Sequence, residues 1–221
     1  RSGDTSWSFS PGNVPRLTTD KHPSTGSLFG DYNNDGFPDL FITNKGTNEL
    51  YINTPGTGFS RIYPSRPEHL YRKANTTGAA VSDFDRDGDL DLFTANQDTF
   101  SLFFINPASN TSYIRFRLRG VTSNRDGIGA RIELVPRDSA FTAAALLGCR
   151  LATFKGGPYS MNEPLIHFGL PDDMAVDVRV RFPSGKIVIK KNLASEQVHD
   201  IYEQSGITRP LLHLSRTTAF F

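Results

Sequence analysis

The residues with the clearest chemistry in this chain are acidic, and they come in two groups of matching layout. Asp31, Asn33, Asp35 and Asp39 lie in Asp31-Tyr32-Asn33-Asn34-Asp35-Gly36-Phe37-Pro38-Asp39, and Asp83, Asp85, Asp87 and Asp91 lie in Asp83-Phe84-Asp85-Arg86-Asp87-Gly88-Asp89-Leu90-Asp91. Alternating oxygen-bearing side chains followed by glycine are what a hard divalent cation asks of a short loop. Several oxygens must converge at about 2.3–2.6 Å, and the glycine takes the bend. Crowding carboxylates this closely costs repulsion that a cation relieves. The spacing therefore predicts two Ca²⁺ sites. The first takes Asp31, Asn33, Asp35, Asp39 and the Phe37 carbonyl, and the second takes Asp83, Asp85, Asp87, Asp91 and the Asp89 carbonyl.

An EF-hand loop opens in the same way, but it closes on a bidentate Glu at position twelve and lies between helices. Position twelve here is Ile42 in one loop and Thr94 in the other. The closing carboxylate arrives earlier, at Asp39 and Asp91, and short apolar runs of β type follow at once, Leu40-Phe41-Ile42 and Leu92-Phe93-Thr94.

The elements that position these loops are themselves repeated. Gly26 to Asp31 overlays Gly78 to Asp83 at an offset of 52 residues that holds to Asn44 and Asn96. Leu50-Tyr51-Ile52-Asn53 then finds its counterpart in Leu102-Phe103-Phe104-Ile105-Asn106 after one inserted residue. Each unit reads as strand, loop, strand, turn, strand, the kind of unit that buries its apolar face only against a neighbour. Residues 26–106 resemble the FG-GAP, or VCBS, repeats, and the resemblance implies calcium-binding propeller blades. A closed propeller needs several blades. Two leave sheet edges that must be covered by other segments or another subunit.

After Ser112 the pattern changes to long alternating strands: Ile114, Phe116 and Leu118 face one way, Arg115, Arg117 and Arg119 the other. Ala130, Ile132 and Leu134, then Val176, Val178, Val180 and Phe182, continue the alternation, and Pro183-Ser184-Gly185 turns the chain into Ile187-Val188-Ile189. Asn124-Arg125-Asp126-Gly127-Ile128-Gly129-Ala130, Ser160-Met161-Asn162-Glu163-Pro164, His167-Phe168-Gly169-Leu170 and Phe182-Pro183-Ser184-Gly185-Lys186 are similar to the ASPIC/UnbV family. Phe182 stands where that family usually has Trp, and Pro171 where it usually has Gly. The fold class expected is all-β: two FG-GAP/VCBS-type blade repeats, a partial propeller, packed on a C-terminal β-sandwich-like ASPIC/UnbV domain. The divisions are 1–25, an N-terminal extension; 26–111, the calcium repeats; 112–204, the second module; and 205–221, an apolar tail.

Smaller signals fill in the rest. Ser6-Trp7-Ser8-Phe9-Ser10 suits a short extended strand, and the tail ends Ala219-Phe220-Phe221. Trp7, Phe9, Phe220 and Phe221 are the candidate self-assembly residues, as strands donated to another copy or, for the tail, as a last strand of its own domain. Asn75 and Asn110 begin N-glycosylation sequons. Arg61, Arg66, Arg72 and Lys73 read as a solvated face, Asn124 and Asp126 as a backbone-capping turn, and His167 as a hydrogen-bonded core histidine. The single cysteine, Cys149, excludes an internal disulfide and reads as a small buried hydrophobe.

Charge is close to balance, 24 Lys and Arg against 23 Asp and Glu over 221 residues. No global field draws nucleic acid, and the longest apolar run, Ala143 to Leu147, is far short of the roughly 20 residues that cross a bilayer. The histidines show no metal-ligand pairing, and neither a nucleophile elbow nor a phosphate loop is present, so the chain reads as no enzyme. With Arg at position 1 it reads as a processed protein or a fragment. The expectation is an extracellular, secreted, calcium-stabilised structural or adhesive glycoprotein that forms a homo-oligomer or filament. The alternatives are a module binding a matrix protein or glycan, or an auxiliary domain of a larger secreted protein.

Overall fold

The computed structural model describes residues 23–62, 73–107, 112–156 and 160–204. Trp7, Phe9, Asn110, Phe220 and Phe221 lie outside these.

The two blade repeats share a seven-stranded sheet. Blade one holds β1 (Ser24–Gly30), β2 (Asp39–Gly46), β3 (Glu49–Thr54) and β4 (Gly58–Arg61), and blade two holds β5 (Ala74–Ser82), β6 (Asp91–Asn96) and β7 (Leu102–Phe104). Within each blade the strands are antiparallel, and the 52-residue offset survives as register: Leu28 pairs with Phe41 as Ala80 pairs with Phe93. The blades join where Lys45 and Gly46 of β2 meet Asn75 and Ala74 of β5. They then splay, so that Leu28, Tyr32 and Phe41 of blade one pack on Ala79, Val81, Leu90 and Leu92 of blade two. Such a unit cannot bury its apolar face alone. Blade two is a strand shorter, for nothing among the described residues pairs with the outer edge of β7.

The C-terminal part is a sandwich of two sheets. Strands β8 (Tyr113–Arg119), β9 (Arg131–Pro136), β10 (Gly148–Leu151), β11 (Ile166–Gly169), β12 (Val176–Arg181), β13 (Ile187–Leu193) and β14 (Gln197–Tyr202) sort into the orders β10-β9-β12-β13 and β11-β8-β14. Strands β14 and β8 run parallel. The two inner faces meet in one core that includes Ile114, Phe116, Leu118, Ile132, Leu134, Phe168, Val178, Val180 and Phe182. The alternation expected at β8 is therefore real, and the all-β class is observed.

Three residues depart from expectation. Arg61, expected on a solvated face, is half-buried and pairs with Glu49 at 2.7 Å, because β4 carries it alongside β3. Cys149 is exposed, not buried, because it stands on the outer side of β10 opposite Glu133, while its neighbour Arg150 turns inward over the Phe168 ring. Arg115 lies on the side of β8 away from the sandwich core as expected, yet it is only 5% exposed, because that side of the strand abuts the blades.

Candidate metal centre

Each acidic loop links the first two strands of its blade, β1 to β2 and β5 to β6, and the backbone is bent in the same way in both. Asn34 and Arg86 have φ of 55° and 68°, and Gly36 and Gly88 have φ of 90° and 101°, the left-handed region in which glycine carries no Cβ penalty. The side chains then tie the bend. Gly36 N–H donates to Asp31 Oδ2 at 2.9 Å, as Gly88 N–H does to Asp83 Oδ2 at 3.2 Å. The closing carboxylates are anchored on both oxygens. Asp39 accepts from Tyr32 and Asn53 N–H at 2.9 and 2.8 Å, and Asp91 accepts from Phe84 and Asn106 N–H at 2.7 and 2.9 Å.

In the second loop Asp83, Asp85 and Asp91 each bring an oxygen within 4.8 Å of the others. Asp87 is not one of the three; its Oδ1 accepts from Asp89 N–H at 3.0 Å. Asp83 Oδ1 is buried with no hydrogen-bond partner, an orphaned anionic oxygen of the kind a cation satisfies. These residues fit a divalent ion. In the first loop Asn33 replaces one carboxylate, and its Nδ2 donates to Asp35 Oδ2 at 2.9 Å. The Phe37 ring is exposed, and the Asp89 carboxylate is turned away to accept from Asn34 Nδ2 at 2.6 Å, which ties the two loops together. Burial pushes Asp31 up to about 7 against the lowering by Arg150, Asp39 up to about 6 against its two N–H donors, and Asp89 up to about 6 with further repulsion from Asp87 and Asp83. Carboxyls raised in this way are those that a bound cation holds ionised.

What the sequence did not show is that both loops also carry the joint to the sandwich. Arg115 of β8 reaches Asp83 Oδ2 at 2.8 Å and Glu163 at 3.5 Å. Gly169 N–H donates to Asp31 Oδ2 at 3.0 Å, Arg150 donates to the Gly36 carbonyl at 3.2 Å, and His167 Nε2 meets the Gly88 carbonyl at 3.1 Å. His167 is thus the hydrogen-bonded core residue expected. Burial pushes its pKa down to about 3, so the ring stays neutral. Asn162 and Glu163 dock on β5, where Val81 N–H donates to Asn162 Oδ1 at 3.0 Å and Asp83 N–H to Glu163 Oε1 at 3.3 Å. Between the modules lies a cleft of about 210 Å³ lined in part by Asp31, Arg150, Glu163 and His167. No signal in the sequence marks Arg115 or Glu163 for this role, since their partner is 32 and 80 residues away along the chain.

Of the remaining candidates, Asn124 is the capping residue expected, its amide bridging both main-chain groups of Ile128. Asn75 is half-buried in β5, and its Nδ2 donates to Gln97 at 3.0 Å through one of its two hydrogens, leaving the other as the position a glycan would take.

With this geometry in place, comparison with known proteins agrees at both ends of the chain. Residues 31–94 match the family described as FG-GAP-like repeat, and residues 120–208 match ASPIC and UnbV. Cartilage acidic protein 1 of mouse is 33% identical over 132 residues, and that of human 33% over 136, each covering 58% of this chain. The Xenopus tropicalis protein is 28% identical over 146 residues, 61% of this chain. This chain spans about a fifth of the length of these relatives, 19% of the first two and 21% of the third. The two matches follow one another in the order of the blades and the sandwich.

Proposed function

We propose that this chain, a pair of FG-GAP-like blades locked to an ASPIC/UnbV sandwich, is an extracellular, calcium-stabilised structural or adhesive glycoprotein that assembles with itself through its terminal strands. One observation carries the reading: blade two ends at β7 with an unpaired edge among the described residues, while blade one is completed by β4. Open edges are normally covered or paired, so an edge left in this state is a place for further main chain. The second loop supports the role of Ca²⁺, which would be held there by Asp83, Asp85 and Asp91, and in blade one, where the carboxylates do not converge in this way among the described residues, by the equivalent Asp31, Asn33, Asp35 and Asp39. The ion supplies charge neutralisation that fixes the loops; in a chain with one cysteine it does the cross-linking that disulfides give other secreted domains. The likeness to proteins named for cartilage supports an extracellular setting, in which Asn75 and Asn110 are the glycan acceptors.

No catalytic role is proposed. The titratable groups of the inter-module cleft are taken up in holding the modules together, and His167 is too acidic to serve as a base near neutral pH. Deleting residues 1–12 is expected to leave a folded chain that no longer forms oligomers or filaments in negative-stain images; unchanged assembly sinks the proposal. A second reading, binding of a matrix protein or glycan, is favoured by the exposed aromatics Phe84, Phe93 and Phe103 on blade two. A glycan array and a matrix pull-down separate it from self-assembly.

A further inference from the structure

We propose that the open edge of β7, with the aromatic face beside it, is the acceptor for the N-terminal segment of a second copy, and that Trp7 and Phe9 are the donated side chains. This rests on the terminal-strand reading above and supplies the receiving half that it lacks.

The acceptor is visible by comparing the two repeats position by position. In blade one Leu28, Phe41 and Leu50 stand side by side across β1, β2 and β3, and blade two covers them. Their counterparts Ala80, Phe93 and Phe103 stand side by side across β5, β6 and β7, and of the described residues Met161 to Glu163 lie beside them but leave Phe93 41% and Phe103 43% exposed. Phe41 is 0% exposed and Phe93 41%; Tyr32 is 7% exposed and its counterpart Phe84 69%. Phe84 and Phe103 meet edge to face at 4.7 Å, and with Met161 they line a groove of about 570 Å³. A contiguous apolar surface of this kind on a soluble domain marks a place where something docks.

The same comparison describes the occupant. In blade one the position outside β3 is filled by β4, paired from Tyr51–Arg61 to Thr54–Gly58. The matching place outside β7 has unpaired main-chain groups on one side and the Phe103 ring on the neighbouring face. An extended segment fits it, with apolar side chains two residues apart so that both fall on the same face. Ser6-Trp7-Ser8-Phe9-Ser10 has that pattern, with only small hydroxyl residues between. The aromatic end of the tail does not, because Phe220 and Phe221 are adjacent and would point to opposite faces of a strand, and the tail's alternating pair, Leu212 and Leu214, carries no aromatic ring. The N-terminal segment leads into β1, in the blade stacked on the opposite face of blade two from this groove. Donation to a neighbouring copy gives a head-to-tail contact, which forms a ring where the rotation closes and a filament where it does not.

The test uses the chain lacking residues 1–12 and a fluorescent peptide of residues 1–12, followed by fluorescence anisotropy. Saturable binding is expected, weakened at least tenfold by Phe93→Ser or Phe103→Ser in the chain and by Trp7→Ser with Phe9→Ser in the peptide. Both phenylalanines are solvent-exposed, and an unchanged melting curve checks that the variants fold. Binding that ignores Phe93→Ser and Phe103→Ser overturns the acceptor while leaving strand exchange standing. No binding by any form overturns the proposal, and continued polymerisation of the truncated chain overturns the underlying reading as well. Capture of a peptide of residues 210–221 at the same residues overturns the choice of segment. The chain of residues 1–221 sedimenting as a monomer, with its groove protected from the peptide, overturns donation between copies.

Discussion

At the scale of single residues, the turn that gathers Asp83, Asp85 and Asp91 was legible because alternating carboxylates followed by glycine stand out in the sequence, whereas Arg115 was not. Alternation in β8 assigns Arg115 to the same side as Arg117 and Arg119, and only the docking of the blades distinguishes the three. Arg117 and Arg119 remain partly exposed near Asp200, each 3.7 Å from its carboxylate, while Arg115 is enclosed with Asp83 and Glu163. Removing one partner from a buried ion pair strands the other, at a cost of about 3–5 kcal/mol. Arg115→Met is expected to lower stability by roughly that amount in chelator, and by less in excess Ca²⁺, where the ion compensates Asp83; equilibrium urea unfolding with and without Ca²⁺ measures both. Glu203 makes a second, independent case. It is 1% exposed and accepts from the N–H groups of Val121, Thr122 and Ser123 at 2.5, 2.7 and 2.9 Å and from the hydroxyls of Ser123 and Ser184. Burial alone raises its pKa, but these donors outweigh it and hold the carboxyl down to about 2, from an ordinary 4.5. A depressed carboxyl stabilises fully above its unfolded value. The contribution is therefore present above about pH 4.5 and lost as pH falls toward 2. Glu203→Gln is expected to cost about 2 kcal/mol at pH 7 and to flatten the decline of melting temperature across that acid window.

At the scale of elements, the strands and the repeat offset were legible, since periodicity in sequence becomes register in the sheet. What periodicity cannot tell is which of two equivalent faces is covered. Phe41 and Phe93 hold the same place in their blades, and only stacking order makes one core and the other surface. Nor does it tell which glycine of a family motif is there for clearance. Gly169 ends β11 against the first loop, and a Cβ there would stand 2.4 Å from the Asn34 backbone and 2.6 Å from Asp31 Oδ2. Backbone cannot give way as a flexible side-chain tip can. Gly169→Ala is expected to cost about 1–3 kcal/mol and, more tellingly, to loosen the joint. Hydrogen exchange of the amides at 31–39 should rise, with the core strand β9 unaffected. An unchanged exchange pattern would show that the loop and β11 are not mechanically linked.

At the scale of the whole molecule, the blades and the sandwich have separate apolar cores, and the contacts that cross between them converge on the two acidic loops and the neighbouring edge of β5. Three motif stretches that sequence could only place in a family acquire a purpose here. Ser160-Met161-Asn162-Glu163 lies along β5, His167-Phe168-Gly169 caps both loops, and the loops themselves present their first aspartates to the sandwich. A cation that fixes the loops therefore also fixes the joint, and its effect should extend beyond local stability. With free Ca²⁺ at a hundred times the dissociation constant, each site adds about 2.7 kcal/mol if the unfolded chain does not bind. Chelation is expected to lower the melting temperature and to split a single calorimetric transition into two, with the blades melting first and the sandwich, whose core needs no ion, melting near its original temperature. Arg115→Met should produce part of that splitting even in Ca²⁺, because it removes one contact of the joint while every loop carboxylate is kept. If chelation shifts one undivided transition, the ion stabilises the fold as a whole and the joint is not where it acts; if it shifts nothing, the loops are not calcium sites.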